Sequence, residues 1–164
     1  MKKETYKKIT DFLGDNTYCV NILKIANRVL TLLVYCLYPV FLLSLVYQQD
    51  VRLWRVFFVP GISFILVSIF RKKFNAARPY EALDLVPLLD KDTKGKSFPS
   101  RHVFSVFVIA MSFYYIYPLP GIGLMFAGFL LAIVRVITGV HFARDVIGGA
   151  LIGVLSGLIG FYLF

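Results

Sequence analysis

Residues 119–164 read LPGIGLMFAGFLLAIVRVITGVHFARDVIGGALIGVLSGLIGFYLF, two long apolar runs joined by one short polar turn. The turn, RVITGVHFARD (Arg135–Asp145), sets an arginine, a histidine and an aspartate where the two runs meet. The apolar residues come in long runs and not in alternation, which predicts helices surrounded by hydrocarbon. Within the turn, His141 and Asp145 are four residues apart, so on a helix they share a face within hydrogen-bonding reach. A carboxylate so placed holds one imidazole nitrogen and leaves the other free and nucleophilic. Arg135 brings a permanent positive charge to the same mouth, across a Gly139 that lets the chain turn.

The rest of the chain repeats the pattern. Of 164 residues, 59% are hydrophobic and only 16% charged, and the mean hydropathy is +0.75. Apolar runs fall at Val29–Tyr47, Val56–Phe70, Val103–Tyr117, Leu119–Val134 and Val146–Phe164. A hydrocarbon core takes about 20 residues of helix to cross, so flanking residues such as Arg52 and Arg55 extend the shorter runs. The expected fold is an all-α polytopic membrane bundle of five transmembrane helices. Residues 1–28 form an amphipathic, interfacial segment and 29–164 the membrane domain. Lys2, Lys3, Lys7 and Lys8 interleave with Ile9, Phe12 and Leu13 in that segment, and a break is expected near Gly14–Asn16. It does not read as a cleavable signal peptide, since the apolar run starts late and no small-residue cleavage site follows. A sixth crossing from residues 5–25 is the alternative, at the cost of burying Asp11, Asp15 and Lys24. Gly149, Gly153 and Gly157 form a small-residue stripe that lets a neighbouring helix approach closely in lipid.

The net charge of +9 sits in the loops of a membrane protein, which points to anionic headgroups or an anionic substrate and not to nucleic acid. Cys19 and Cys36 are too isolated for a metal site and read as apolar filler. Tyr114, Tyr115 and Tyr117 read as an interfacial belt. The only long polar segment, 71–102, is RKKFNAARPYEALDLVPLLDKDTKGKSFPSRH and holds 8 of the 18 basic residues. Within it, Leu83, Leu85, Val86, Leu88 and Leu89 are expected to lie in the interface and admit a lipid sideways.

Three polar clusters fall at the ends of apolar runs: Arg71…Arg78–Pro79, Pro99–Ser100–Arg101–His102, and Arg135…His141…Asp145. In an antiparallel bundle helix ends alternate sides, so all three converge on one membrane face. Two histidines, one aspartate and several arginines fit phosphoryl transfer best. Guanidinium groups match phosphate oxygens and neutralise transition-state charge, while one histidine attacks phosphorus and the other protonates the leaving oxygen. A zinc site on the two histidines and Asp145 is less well supplied, because the guanidiniums would repel the cation. Acyl transfer through Ser100 would need a paired base and an oxyanion hole.

The clusters resemble the signature of the type 2 phosphatidic acid phosphatase superfamily of membrane lipid phosphatases. That pattern has a lysine, six residues and Arg-Pro, then Pro-Ser-Gly-His, then Ser-Arg, five residues, His, three residues and Asp. The resemblance spans about residues 52–160, with Arg71 in place of the lysine, Arg101 in place of glycine and Val134 in place of serine. It implies that His141, oriented by Asp145, forms a phosphohistidine, and that His102 protonates the leaving group and then activates water. It further implies that Arg71, Arg78, Ser100 and Arg135 cradle the phosphate, with Lys72 an alternative to Arg71 and Arg101 an added cation. It implies no metal and no other cofactor, and a lipid phosphate as partner: phosphatidic acid, phosphatidylglycerophosphate or an isoprenyl diphosphate. The rival is a catalytically degenerate membrane protein that binds a lipid phosphate without turning it over. On sidedness two expectations oppose each other. The family works on the extracytoplasmic face, whereas 16 basic residues on the site's side against Arg52 and Arg55 on the other favour the cytoplasm by the positive-inside rule.

Overall fold

In the computed structural model, which describes residues 3–84, 86–89 and 93–163, every regular element is helical. The elements are α1 (Lys3–Gly14), α2 (Thr17–Tyr47), α3 (Leu53–Phe74), α4 (Pro79–Leu83), α5 (Arg101–Ile116), α6 (Pro118–Ile137) and α7 (Ala143–Leu158), the last running into a π-helical turn at Ile159–Leu163. Local sequence explains most of the boundaries. Asn16 caps α2, its side chain accepting from the backbone N–H of Tyr18 and Cys19 at 3.0 and 3.3 Å. Asn75 ends α3 in the left-handed conformation at φ 43°. Pro118 stops α5 and starts α6 in one step, because it fits the first turn of a helix but not its interior.

Four of the helices, α2, α3, α6 and α7 with its π turn, are long and apolar enough to cross a membrane. The fifth apolar helix, α5, has only 16 residues. It is buried along most of its length, from Val103 to Phe113, so it is the axis of the bundle and presents little surface to lipid. Phe104, Val106, Val108, Ile109, Ala110 and Phe113 of α5 form one core with Val34, Phe41 and Leu45 of α2, Val56 and Val67 of α3, and Leu124 and Leu131 of α6.

The glycine stripe of α7 lies against α5, as close packing in lipid requires. A methyl group on Gly149 would sit 2.7 Å from the Ser100 carbonyl oxygen, one on Gly153 2.8 Å from the Phe104 carbonyl oxygen, and one on Gly157 2.4 Å from Met111 Cβ. Only a hydrogen fits at these positions, so the two backbones run almost in contact.

At the N-terminus the expected break falls where α1 gives way to α2, but residues 17–28 continue without interruption into the first span. The sixth crossing does not form. The helix stops at Gly14, and α1 turns Tyr6 and Thr10 inward while Lys7, Lys8, Asp11 and Phe12 stay exposed. The leucine-rich segment after α4 is also not a uniform interfacial surface. Leu89 is buried, Leu88 Cδ2 packs near Gly14, and among the described apolar residues of the segment only Val86 is fully out, at 85% exposure. Leu85, Asp90, Lys91, Asp92, Lys2 and the side chain of Lys3 lie outside the described residues.

Candidate active site

His141 lies in the turn between α6 and α7, and Asp145 in the first turn of α7. The two do not share a helix face, because α7 begins only at Ala143. They meet because Asp145 reaches back over the helix start. Its Oδ2 accepts from the Phe142 N–H at 3.0 Å and lies 3.5 Å from His141 Nδ1. Gly139, at φ +73°, makes the preceding turn. The His141 N–H then donates to the Arg135 carbonyl at 3.1 Å, which ties the turn to the end of α6.

Both members of the pair are buried. Burial pushes the His141 imidazole down from 6.5 to about 4; the Arg78 and Arg135 charges act in the same direction, and Asp145 opposes them. His141 is therefore neutral at pH 7. The acceptor facing Nδ1 favours the tautomer with its proton there, which leaves Nε2 with a lone pair.

A third side chain completes the pair, and the sequence reading passed over it. Ser97 is fully buried; its hydroxyl donates to Asp145 Oδ2 at 2.5 Å and lies 3.4 Å from His141 Nδ1. Asp145 Oδ2 thus gathers donors from Ser97 and Phe142 as it faces the imidazole. Ser97 stands three residues before Ser100, and a serine in a polar loop carries no periodic or spacing signal that marks it out.

The loop that delivers Ser97 is held from several sides. Arg71, buried at the end of α3, donates to the Ser97 carbonyl at 3.3 Å and to the carbonyls of Lys96 and Pro99. Ser97 N–H donates to the Ala76 carbonyl at 2.8 Å, and Ser100 N–H to the Asp145 carbonyl at 2.8 Å. Glu81, also missed from sequence, accepts from the Arg78 N–H at 2.9 Å and from the Gly95 N–H at 2.8 Å, which staples the Arg78 turn to this loop. Arg78 itself is buried; its Nε donates to the Gly95 carbonyl at 3.1 Å, and its Nη1 lies 3.5 Å from the Val140 carbonyl oxygen.

The remaining sequence candidates separate. Ser100 and Arg135 are buried at the site, and Ser100 Oγ and Arg135 Nε have no hydrogen-bond partner. His102 is half-buried in the first turn of α5. Lys72 is exposed while Arg71 beside it points inward. Arg101 is exposed and lies over the Phe64 ring at 5.6 Å, on the α3 side of the mouth. Val134, where the family pattern has serine, is a buried apolar contact. Among the described residues no group of three or more His, Cys, Asp and Glu side chains is placed to hold a metal ion.

A family profile described as the PAP2 superfamily matches residues 52–164. The chain belongs to the PAP2 superfamily. The match takes in α3 through α7, and with them all three polar clusters, and leaves α1 and α2 outside it. The chain is 31% identical over 105 residues to the bacitracin transport permease protein BcrC of Bacillus licheniformis, covering 62% of this chain and 52% of that protein, so it spans about half the length of this curated relative. Its fold resembles the crystal structure of LpxE from Aquifex aeolicus, with TM-score 0.73 and 25% identity over 96% of this chain and 92% of that one. It also resembles that of a transmembrane PAP2-type phosphatidylglycerolphosphate phosphatase from Bacillus subtilis, with TM-score 0.73 and 20% identity over 96% and 83% of the two chains. A PAP2 chain with these helices is a multi-pass membrane protein.

Proposed function

We propose that the protein is a membrane lipid phosphatase that hydrolyses a phosphomonoester or diphosphate through a phosphohistidine. The observation that carries this reading is that two of the buried donors without acceptors, Ser100 Oγ and Arg135 Nε, belong to residues whose backbones bond to Asp145 and His141. Unpaired buried donors are costly unless an acceptor arrives, and a phosphate offers several oxygens to such a set. Beside them stands a neutral imidazole with a carboxylate at its back.

In this mechanism His141 Nε2 attacks phosphorus, the bond from phosphorus to the lipid oxygen breaks, and His102 gives that oxygen its proton. Water then attacks the phosphohistidine and passes its proton to His102, releasing phosphate and restoring both histidines. Asp145 steadies the charge that appears on the His141 ring. Arg135 and Arg78 supply the positive charge that a metal would otherwise bring. Arg71 acts at one remove, through the loop it clamps. An apolar cavity of about 350 Å³ between α2, α3 and α5, lined by Tyr38, Phe57, Phe64, Val108 and Ile109, shares Phe64 with Arg101 and suits the tail of a lipid.

Phosphate release by the purified protein from phosphatidic acid, phosphatidylglycerophosphate and an isoprenyl diphosphate tests the reading. Release is expected from at least one, with and without EDTA. His141→Ala should abolish it, and His102→Ala should lower it by about 10²–10⁴-fold. Wild-type turnover in His141→Ala overturns the mechanism, and loss in EDTA reversed by a divalent ion overturns metal independence. Tight binding of all three lipids without release means a degenerate relative.

A further inference from the structure

We infer that Tyr6, on the N-terminal helix outside the segment matched by the PAP2 family profile, is a positioning residue for His141. The inference rests on the phosphatase reading for its kinetic arm only. Tyr6 is 1% exposed, and its hydroxyl donates to the His141 carbonyl at 3.2 Å. Its ring meets Phe142 edge-on, centroids 5.8 Å apart at 85°. One turn further along, buried Thr10 bonds back to the Tyr6 carbonyl at 3.0 Å, and its methyl lies 3.5 Å from where a side chain on Gly139 would begin. Helix α1 therefore touches Gly139, His141 and Phe142.

These contacts complete the restraint on the nucleophile. The His141 N–H is held by the Arg135 carbonyl, its ring faces Asp145 and Ser97, and its carbonyl is held by Tyr6. A turn of three residues between a left-handed glycine and the start of α7 has few bonds of its own, so its position is set by what it packs on. Burial and the nearby Asp145 charge push the Tyr6 phenol up to about 12, so it remains a hydrogen-bond donor across the working pH range. The same helix covers the turn from solvent, consistent with 2% exposure at His141.

Tyr6→Phe removes the hydroxyl and keeps the ring. A lost neutral hydrogen bond that acts through nucleophile placement should lower kcat per folded molecule by about three- to tenfold, with KM within about twofold, beside a modest fall in melting temperature. Tyr6→Ala removes the cover as well. In a His102→Gln background, where His141 is the remaining histidine, Tyr6→Ala should raise the rate of His141 carbethoxylation by diethyl pyrocarbonate, read by mass spectrometry. That second arm needs no substrate, so it still decides the matter if no lipid phosphate is turned over. In an active enzyme, an unchanged kcat in Tyr6→Phe overturns the proposal. So does a drop in melting temperature with normal kcat per folded molecule, since Tyr6 would then be only structural. In an inactive one, an unchanged His141 modification rate in Tyr6→Ala overturns it.

Discussion

Asp145 shows how one side chain serves structure and chemistry together. The carboxylate that caps the start of α7 through the Phe142 N–H is the one that faces His141, so helix formation and imidazole orientation are the same event. Ser97 steadies it from the far side. Hydrogen bonds to charged groups are the stronger kind, so Ser97→Ala should lower kcat by roughly ten- to a hundredfold with little change in KM, and Ser97→Thr should restore part of it. Steady-state kinetics on the two variants check this. Asp145→Asn should be impaired but not dead, because the nucleophile we propose, His141, remains. The depressed titration of His141 has a direct consequence for pH. Its folded value, about 4, lies below the 6.5 of the free side chain, so the ring stays unprotonated and competent until the pH approaches 4. The acid limb of kcat/KM assigned to His141 should therefore fall near pH 4 and not near 6.5. The same shift makes the unfolded chain the better proton acceptor, so the fold loses stability as pH falls through this window. An acid limb near 6.5 that persists in the residual activity of a His102 variant would contradict the burial argument.

Among the elements, α5 and α7 carry the site, and the glycine stripe sets the distance between them. Ser100 at the start of α5 bonds to Asp145 at the start of α7 through the backbone, 2.8 Å apart. A methyl on Gly153 would meet the Phe104 carbonyl oxygen at 2.8 Å, a backbone atom that cannot rotate away. Gly153→Ala should push the helices apart and cost about 1–3 kcal/mol, as overpacking does elsewhere. Gly123→Ala on α6, where nothing lies within 4 Å, is the control and should be near neutral or slightly stabilising. Thermal unfolding in detergent distinguishes the two. Equal melting temperatures would mean that α5 and α7 are not in the close contact described.

For the whole molecule, convergence of helix ends on one face is what makes a site from residues as far apart as 71 and 145. The ends of α3 and α6 and the starts of α5 and α7 meet there, while Asp50 and Arg52 pair at the opposite end, with N–O distances down to 2.6 Å. Which compartment the site faces is our remaining proposal, and we favour the extracytoplasmic side. The basic residues that tilt the charge count toward the cytoplasm include those a phosphate site needs on either face. Lys94→Cys, in a background lacking Cys19 and Cys36, reports directly. Labelling of intact cells by an impermeant thiol reagent is expected, and protection until the membrane is opened would place the site inside.

The sequence alone was enough for the helical membrane class, the positions of the apolar runs, the break near Gly14–Asn16 and the meeting of the three clusters on one face. Each of these depends on composition, periodicity or the alternation of helix ends, which are properties of the chain in order. The centrality of α5 was not legible, because a 16-residue apolar run reads the same whether it faces lipid or protein. Nor was the turn geometry that joins His141 to Asp145, which spacing had put on one helix face. Ser97, Glu81 and Tyr6 were invisible for a common reason. Each acts on a partner 14 to 135 residues away, and no local pattern records a contact that only packing creates. Tertiary structure also turned Arg71 inward to the loop carbonyls and left Lys72 outside, a choice between adjacent cations that depends on which side of α3 meets the rest of the bundle.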